Sequence, residues 1–247
     1  MTGKADVPVD TSRQSWRTLY FVAGVSAIVF VVALIAALVV DFVAPPPVHG
    51  GAATLEFIAA NRELYGLEQV LWILPNALAV LVFVALAVAL APVNQSLALI
   101  GGVIGGIPWA LFLAIPVTSR GSLSLLYLSD RYVEASVDDR ARFATAAEAI
   151  IAENNTPAIV GVLSAAGILL MSIVMTKGVF SRVLAWLGVL TGALGIISEA
   201  LRHVVPSFYW GYGVLLWVWV IAAGIALIRL GQRTPVSGSV ERATPAP

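Results

Sequence analysis

Six stretches of this chain run for about twenty residues with little or no charge, and nothing else in the sequence constrains its fold so tightly. They cover residues 19–43, 70–91, 97–117, 158–176, 183–203 and 207–230. An α-helix rises about 1.5 Å per residue and the hydrocarbon slab of a bilayer is about 30 Å thick, so about 20 apolar residues suffice to cross it. Composition points the same way. Of 247 residues 60% are hydrophobic and 11% charged, and the mean hydropathy is +0.94, whereas soluble domains carry about 25% charged residues. The expected fold class is an all-α polytopic membrane protein, a bundle of six transmembrane helices over 19–230, with cytoplasmic tails 1–18 and 231–247 expected to be disordered. The charge-free core of the first span, Leu19 to Val40, is too long for a signal-peptide h-region of about 7–15 residues. It reads as a retained helix, with cleavage near Ala44 the alternative.

Proline and glycine mark the joints: "APPPVHGG" (44–51) leaves the first span, and "APVNQS" (91–96) is a tight turn between the second and third. Two connections are longer. Segment 52–66 has apolar residues at Leu55, Ile58, Ala59 and Tyr65, the spacing of a short amphipathic helix. In segment 121–155, Ser136 followed by Asp139 makes a capping-box signature, after which Phe143, Ala147, Ile150 and Ile151 share a face. Both are expected to lie as amphipathic surface helices on the outer side of the membrane, covering the bundle.

Orientation follows from lysine and arginine in the loops. With the N-terminus inside, the inner pieces carry Lys4, Arg13, Arg17, Lys177, Arg182, Arg229, Arg233 and Arg242. The outer pieces carry Arg62, Arg120, Arg131, Arg140, Arg142 and Arg202, a modest difference, but the long outer loop interleaves its four arginines with six carboxylates and is net acidic. Both termini are therefore expected in the cytoplasm of a multi-pass protein of the plasma (bacterial inner) membrane. Zero formal net charge gives no footprint for nucleic acid. Cysteine is absent and there are two histidines, His49 and His203, which excludes thiolate chemistry and a histidine metal cage. No cofactor and no metal is expected.

The block "GLEQVLWILPNALAVLVFVALAVALAPVNQSLALIGG" and the later "KGVFSRVLAWLGVLTGALGII", with its aromatic-x-Arg turn before a glycine-rich helix, resemble an uncharacterised bacterial six-helix membrane family, defined as a domain of unknown function. The resemblance covers most of the chain between Leu19 and Leu230. It implies the six-helix bundle and no activity.

One constellation stands out. Gly188, Gly192, Gly195, Glu199 and His203 recur at spacings of four, three, four and four, so they share a helix face. Small residues on such a face let two helix backbones approach closely, which points Glu199 inward. Position along the helix instead puts Glu199, Arg202 and His203 near its outer end, where charges reach headgroups and water. In the edge reading the trio closes the helix; in the inner reading Glu199 is a buried anion at the mouth of a cavity, paired with Arg202. Depth favours the edge. In the second span, Gln69, Trp72 and Asn76 share a face beside Glu68. Asn76 follows Pro75, which frees backbone groups that an asparagine can satisfy; alternatively Asn76 faces the same cavity as Glu199. A metal site from Asp41, Glu68, Glu199 and His203 is conceivable without any diagnostic spacing. Gly101 and Gly105 in "GGVIGGIP" read as helix packing, since neither a preceding strand nor a Lys-Ser/Thr makes them a phosphate loop. The pattern A-x-[I/L]-G-x-x-x-G recurs at 98–105 and 185–192, a hint of two related halves. Tyr209, Trp210 and Tyr212 read as an interfacial aromatic belt, and Trp217 and Trp219 as packing.

Three function classes remain: an accessory, sensory or lipid/small-molecule-binding protein with an outward polar patch around Glu199; a transporter component; and an intramembrane enzyme. Thr191, Ser164 and Ser172 are the main deep polar groups, and this dryness orders the classes as written. The bilayer, and a lipid or small amphiphile, are the expected partners; oligomeric state is open.

Overall fold

The computed structural model describes residues 16–47, 50–114, 117–118, 121–154, 159–201 and 204–232. Helices run in the order α1 (Arg17–Val43), α2 (Gly51–Ala60), α3 (Arg62–Ile73) and α4 (Asn76–Ala114). A two-stranded hairpin follows, β1 (Val117–Thr118) with β2 (Gly121–Ser122), paired antiparallel with Val117 opposite Ser122. Then come α5 (Leu123–Glu134), α6 (Arg140–Asn154), α7 (Ile159–Met175), α8 (Arg182–Ala200) and α9 (Pro206–Gln232). Arg17, Thr18, Gly231 and Gln232 are helical, so the ordered chain extends past the expected tail boundaries. Residues 1–15 and 233–247 of the expected tails lie outside the described residues.

Helix α1 shows why the fold requires lipid. Ala23, Ala27, Phe30, Leu34 and Ala37 are buried at alternating spacings of four and three, while Phe21, Val32 and Val39 on the other side are more than half exposed. A helix apolar all round has one face for its neighbours and one for hydrocarbon; in water the second face would be an aggregation site. Among the described residues four helical segments are long and apolar enough to cross a membrane: Arg17–Val43, Arg62–Ala114, Arg182–Ala200 and Phe208–Gln232. The protein is thus of the helical membrane type.

The second of these segments does not run straight. Asn94 has extended backbone (φ −158°, ψ 96°), and its Oδ1 accepts a hydrogen bond from Leu97 N at 3.0 Å, an N-cap that restarts the helix. A Cβ placed on Gly102 would stand 2.8 Å from Ala87 Cβ, and the Phe83 ring fills the space above Gly105. Residues fifteen or more apart along one straight helix would be separated by more than about 20 Å. The two arms of α4, 76–93 and 95–114, therefore fold back against each other.

Small residues govern the packing. Helix α7 lies between the second arm of α4 and α8. On one side Gly167 meets Gly105 backbone and the Gly101 carbonyl, and on the other Gly192 sits 2.6 Å, at its Cβ position, from Leu169 N. Helices α1 and α9 cross at Gly24 and Gly224, where a Cβ on Gly24 would lie 2.6 Å from the Gly224 carbonyl oxygen. In hydrocarbon, where no hydrophobic drive separates helices from lipid, such close approach is what gives dispersion contacts their reach. Phe30 packs edge-on against Trp109 at 5.3 Å between centroids, and Trp219 is fully buried.

The two amphipathic segments pack on each other. Helices α2, α5 and α6 and the start of α3 bury Leu55, Ile58, Tyr65, Leu125, Tyr132 and Ala147 together in a second core. Their apolar faces cover one another, because a shared core removes more apolar surface from water than separate contact with headgroups. Ser129 Oγ donates to Leu55 O at 2.7 Å and Tyr132 to Glu56 at 3.1 Å. Gly50, at φ 90°, makes the turn into α2, and Gly51 N then donates to Glu148 at 2.6 Å. Glu148 is therefore an anion at a helix N-terminus as well as part of a solvated face. The capping box takes another form: Ser136 Oγ donates to the Asp139 carboxylate at 2.9 Å, closing a turn ahead of α6.

Arg62 forms a bidentate pair with Asp130, both contacts 2.9 Å, bracing α3 against α5. The hydrogen bonds from Arg62, with its charge, hold the Asp130 carboxyl below the ordinary range. A depressed folded-state value means the pair's contribution is present above the unfolded value of about 3.9 and is lost as pH falls through the folded one. In an NMR titration the Asp130 side-chain carboxyl should therefore titrate below its ordinary midpoint and return to it in Arg62→Gln. An unchanged midpoint would show that the pair is not held in solution.

Candidate functional site

The glycine face of α8 delivers Glu199 to its position. Ser181 caps the helix, accepting from Leu184 N at 3.2 Å. Above it Gly188 leaves room for Ser172 Oγ and Trp219 Nε1, and Gly192 lies against Ala165 and Leu169. At Gly195 a Cβ would stand 2.6 Å from Tyr212 Cε2. One turn later Glu199 is 6% exposed, and its carboxylate lies over Gly161, near the start of α7, where a Cβ would come 2.6 Å from Oε2 and 2.7 Å from Oε1. Tyr212 is 5% exposed, its ring against Gly195 one turn before Glu199.

The side chain of Glu199 is therefore turned into the protein. The residue occupies the last turn of α8, as its position along the helix requires, yet its side chain is inside, because the glycine stripe that precedes it is the packing face. Arg202 and His203 lie outside the described residues. Tyr212 also departs from the aromatic-belt expectation: Trp210 is half exposed, but Tyr212 is buried against Gly195. Trp217 packs against the bundle core and Trp219 within it.

The second group, Glu68, Gln69 and Asn76, is buried on a different pair of helices. Glu68 is 1% exposed and accepts from Trp72 Nε1 at 3.2 Å. Asn76 Nδ2 donates to Trp72 O at 3.1 Å, across the break at Leu74 and Pro75. That is the backbone-satisfying role. Gln69, fully buried, brings its Nε2 to 3.0 Å from where a Cβ on Gly121 would stand, beside the Tyr65 hydroxyl. Tyr65 in turn bonds both the N and the O of Ser122, at 3.0 and 3.2 Å. The hairpin is thus fastened onto α3.

Helix α3 packs mainly on α1 and the cap, whereas α8 packs on α7 and α9. Among the described candidates, Glu68, Gln69 and Asn76 belong to α3 and the start of α4, and Glu199 to α8. A third acid, Asp41, is 5% exposed and continues the buried stripe of α1 just as Glu199 continues that of α8. Among the described residues no three acidic or histidine side chains converge to hold a metal ion. Two of the buried carboxylates, Asp41 and Glu199, stand at the cap end of a packing stripe, and Glu68 lies within α3.

A family model described as a domain of unknown function, DUF4386, matches residues 22–231. The chain belongs to the DUF4386 family. The match runs from the first turns of α1 to the end of α9, so the cap is part of the DUF4386 domain and not an appendage to it. No curated protein and no solved structure matches the chain. The description of DUF4386 assigns no activity, and the function of the protein is to be argued from its own residues. Spacing alone missed two of them. Gly161 sits in "IVGVLSAAG" with no glycine four residues away, although small residues at 161 and 165 were a signal within reach. Tyr212 was concealed by its aromatic neighbours.

Proposed function

We propose that this DUF4386 protein is a six-span plasma-membrane protein of accessory type, a binding or sensory component, with both termini in the cytoplasm and the cap and Glu199 on the outer side. The observation that carries the reading is the packing around α7. Gly105 meets Gly167 backbone to backbone on one flank and Gly192 meets Ala165 and Leu169 on the other, and the space among Phe30, Phe83, Trp109, Ile168 and Trp219 is only about 10 Å³, too small for a conduit. Among the described residues, Asn76 at the cap end serves a helix break and Tyr65 holds the hairpin.

Six spans follow from adding to the four long segments the reversal at Asn94 and α7, whose 17 residues measure about 26 Å, close to the thickness of the slab. Orientation is supported by charge. The described Lys and Arg are four at each end, Arg17, Lys177, Arg182 and Arg229 against Arg62, Arg131, Arg140 and Arg142; Lys4, Arg13, Arg233 and Arg242 in the adjoining sequence give the first end the excess. Lysine and arginine are retained on the cytoplasmic side.

The absence of cysteine makes the test clean. In intact cells a membrane-impermeant maleimide should label Ser136→Cys in the cap, and Gly178→Cys only after permeabilisation. The reverse pattern overturns the orientation. Lipids and small amphiphiles should raise the thermal midpoint of the purified protein, since a ligand of the native state stabilises it. Substrate flux in proteoliposomes would overturn the accessory reading in favour of transport.

A further inference from the structure

At the end of the bundle opposite the cap, helices α8 and α9 diverge around a groove of about 380 Å³. That volume lies within the range of small-ligand sites, about 300–1,000 Å³. Its walls are apolar: Phe180, Leu184 and Leu187 on one side, Ala222 and Ala226 on the other, with Arg229 at the mouth. Alanines at 222 and 226, on one face of α9, leave the space that larger side chains would fill. The groove opens sideways, where Val183 is 81% and Ile225 38% exposed, to what in a bilayer is lipid.

Charge at this mouth is one-sided. Arg229 and Arg182 are both exposed, neither has an ion-pair partner among the described residues, and Lys177 lies in the adjoining turn. Arg17, at the start of α1, is turned to the Gly231 carbonyl at 2.9 Å, so the first helix adds its own cation to the same end. No Asp or Glu occurs between 154 and 198 or between 200 and 240. An apolar slot that ends in the uncompensated guanidinium of Arg229, with exposed Arg182 next in the chain to the lining residues Ser181 and Val183, is complementary to a chain bearing a negative phosphate. An empty slot would leave its lining without dispersion partners, and an arginine fork binds phosphate oxygens in a bidentate fashion.

We propose that this groove is a binding site for an anionic phospholipid, with one acyl chain between α8 and α9 and the phosphate on Arg229 and Arg182. The inference rests on membrane insertion but not on the accessory role or on which leaflet holds this end. Polybasic attraction to an anionic surface contributes about 1 kcal/mol per Lys or Arg without regard to shape; a groove adds dependence on its own walls.

The experiment uses the full-length protein in detergent, titrated with phosphatidylglycerol or phosphatidylcholine of the same chains, and read by thermal midpoint and by native mass spectrometry. Phosphatidylglycerol should raise the midpoint more than phosphatidylcholine and remain bound at one copy per chain. In the double variant Arg182→Gln/Arg229→Gln bound phosphatidylglycerol should fall about tenfold, and Ala226→Leu, which fills the slot and leaves every charge in place, should lower it as well. Lys177→Gln, outside the groove, should retain binding. Equal response to the two lipids, or loss in Lys177→Gln as large as in the double variant, overturns the site. The unliganded midpoint of each variant shows whether it folds. Failure here leaves the maleimide pattern and the flux result untouched, so the two proposals fail separately.

Discussion

Gly167→Ala is expected to destabilise the bundle by about 3 kcal/mol, at the upper end of the usual cost of overpacking a core. The sign is not that of alanine in general. Inside a helix alanine is favoured over glycine by about 0.5–1 kcal/mol, so the substitution begins with a gain. At Gly167, however, the added methyl falls on the Cα and N of Gly105 and 3.0 Å from the Gly101 carbonyl oxygen. Backbone cannot rotate away as a side-chain tip can, so the second arm of α4 and α7 must separate along their whole contact. Nothing lies within 4 Å of a Cβ on Gly213, and Gly213→Ala should show the gain alone. Opposite signs for the two variants, measured as detergent-solubilised unfolding midpoints, are the expected result. If both stabilise, the α4–α7 crossing is looser than the structure has it.

This crossing also marks the limit of what the sequence discloses. The apolar runs were legible because bilayer thickness translates directly into residue number, and the turn at 91–96 because proline and asparagine punctuate it. The glycine faces of α4 and α8 could be read from their spacing. Their common partner was harder to read: α7 carries small residues on two sides, Gly167 toward α4 and Gly161, Ala165 and Ser172 toward α8, and only the pair 161 and 165 stands at a four-residue interval. A helix small on both flanks is one that others close upon, which is a tertiary fact with a weak local signature. The recurring pattern at 98–105 and 185–192 gains a physical meaning here, because the two glycine faces close on α7 from opposite flanks.

The cap was half legible. Periodicity found its helices and their apolar faces, yet an amphipathic face reads the same whether it meets headgroups or another helix. Only the cross-links decide: Ser129 to Leu55, Tyr132 to Glu56, Arg62 to Asp130. At the candidate site the conflict between direction and depth of Glu199 arose because each was read separately. Both are true of the molecule. The last turn of a helix is still part of its packing face when a neighbour, here the start of α7, extends beside it.

That neighbour makes the second large effect testable. Gly161→Ala should cost about 1–2 kcal/mol in the wild-type protein and almost nothing once Glu199 is alanine. A methyl at Gly161 would come 2.6 and 2.7 Å from the two carboxylate oxygens of Glu199, so the carboxylate has to leave a position in which it is buried. A flexible tip can move, unlike the backbone at Gly167, and the expected cost is smaller for that reason. What it cannot do cheaply is keep its polar contacts while moving, since a buried charge depends on them. Removing the carboxylate through Glu199→Ala frees the space, and the helix preference of alanine over glycine then offsets most of what remains. The double-mutant cycle should therefore give a coupling of about 1–2 kcal/mol, within the range of about 0.5–3 for residues in direct contact. A Gly161→Ala cost that is the same with and without Glu199 would separate the two residues and return Glu199 to the membrane edge. A clear coupling instead identifies the glutamate as the latch that closes α8 onto α7 beneath the cap.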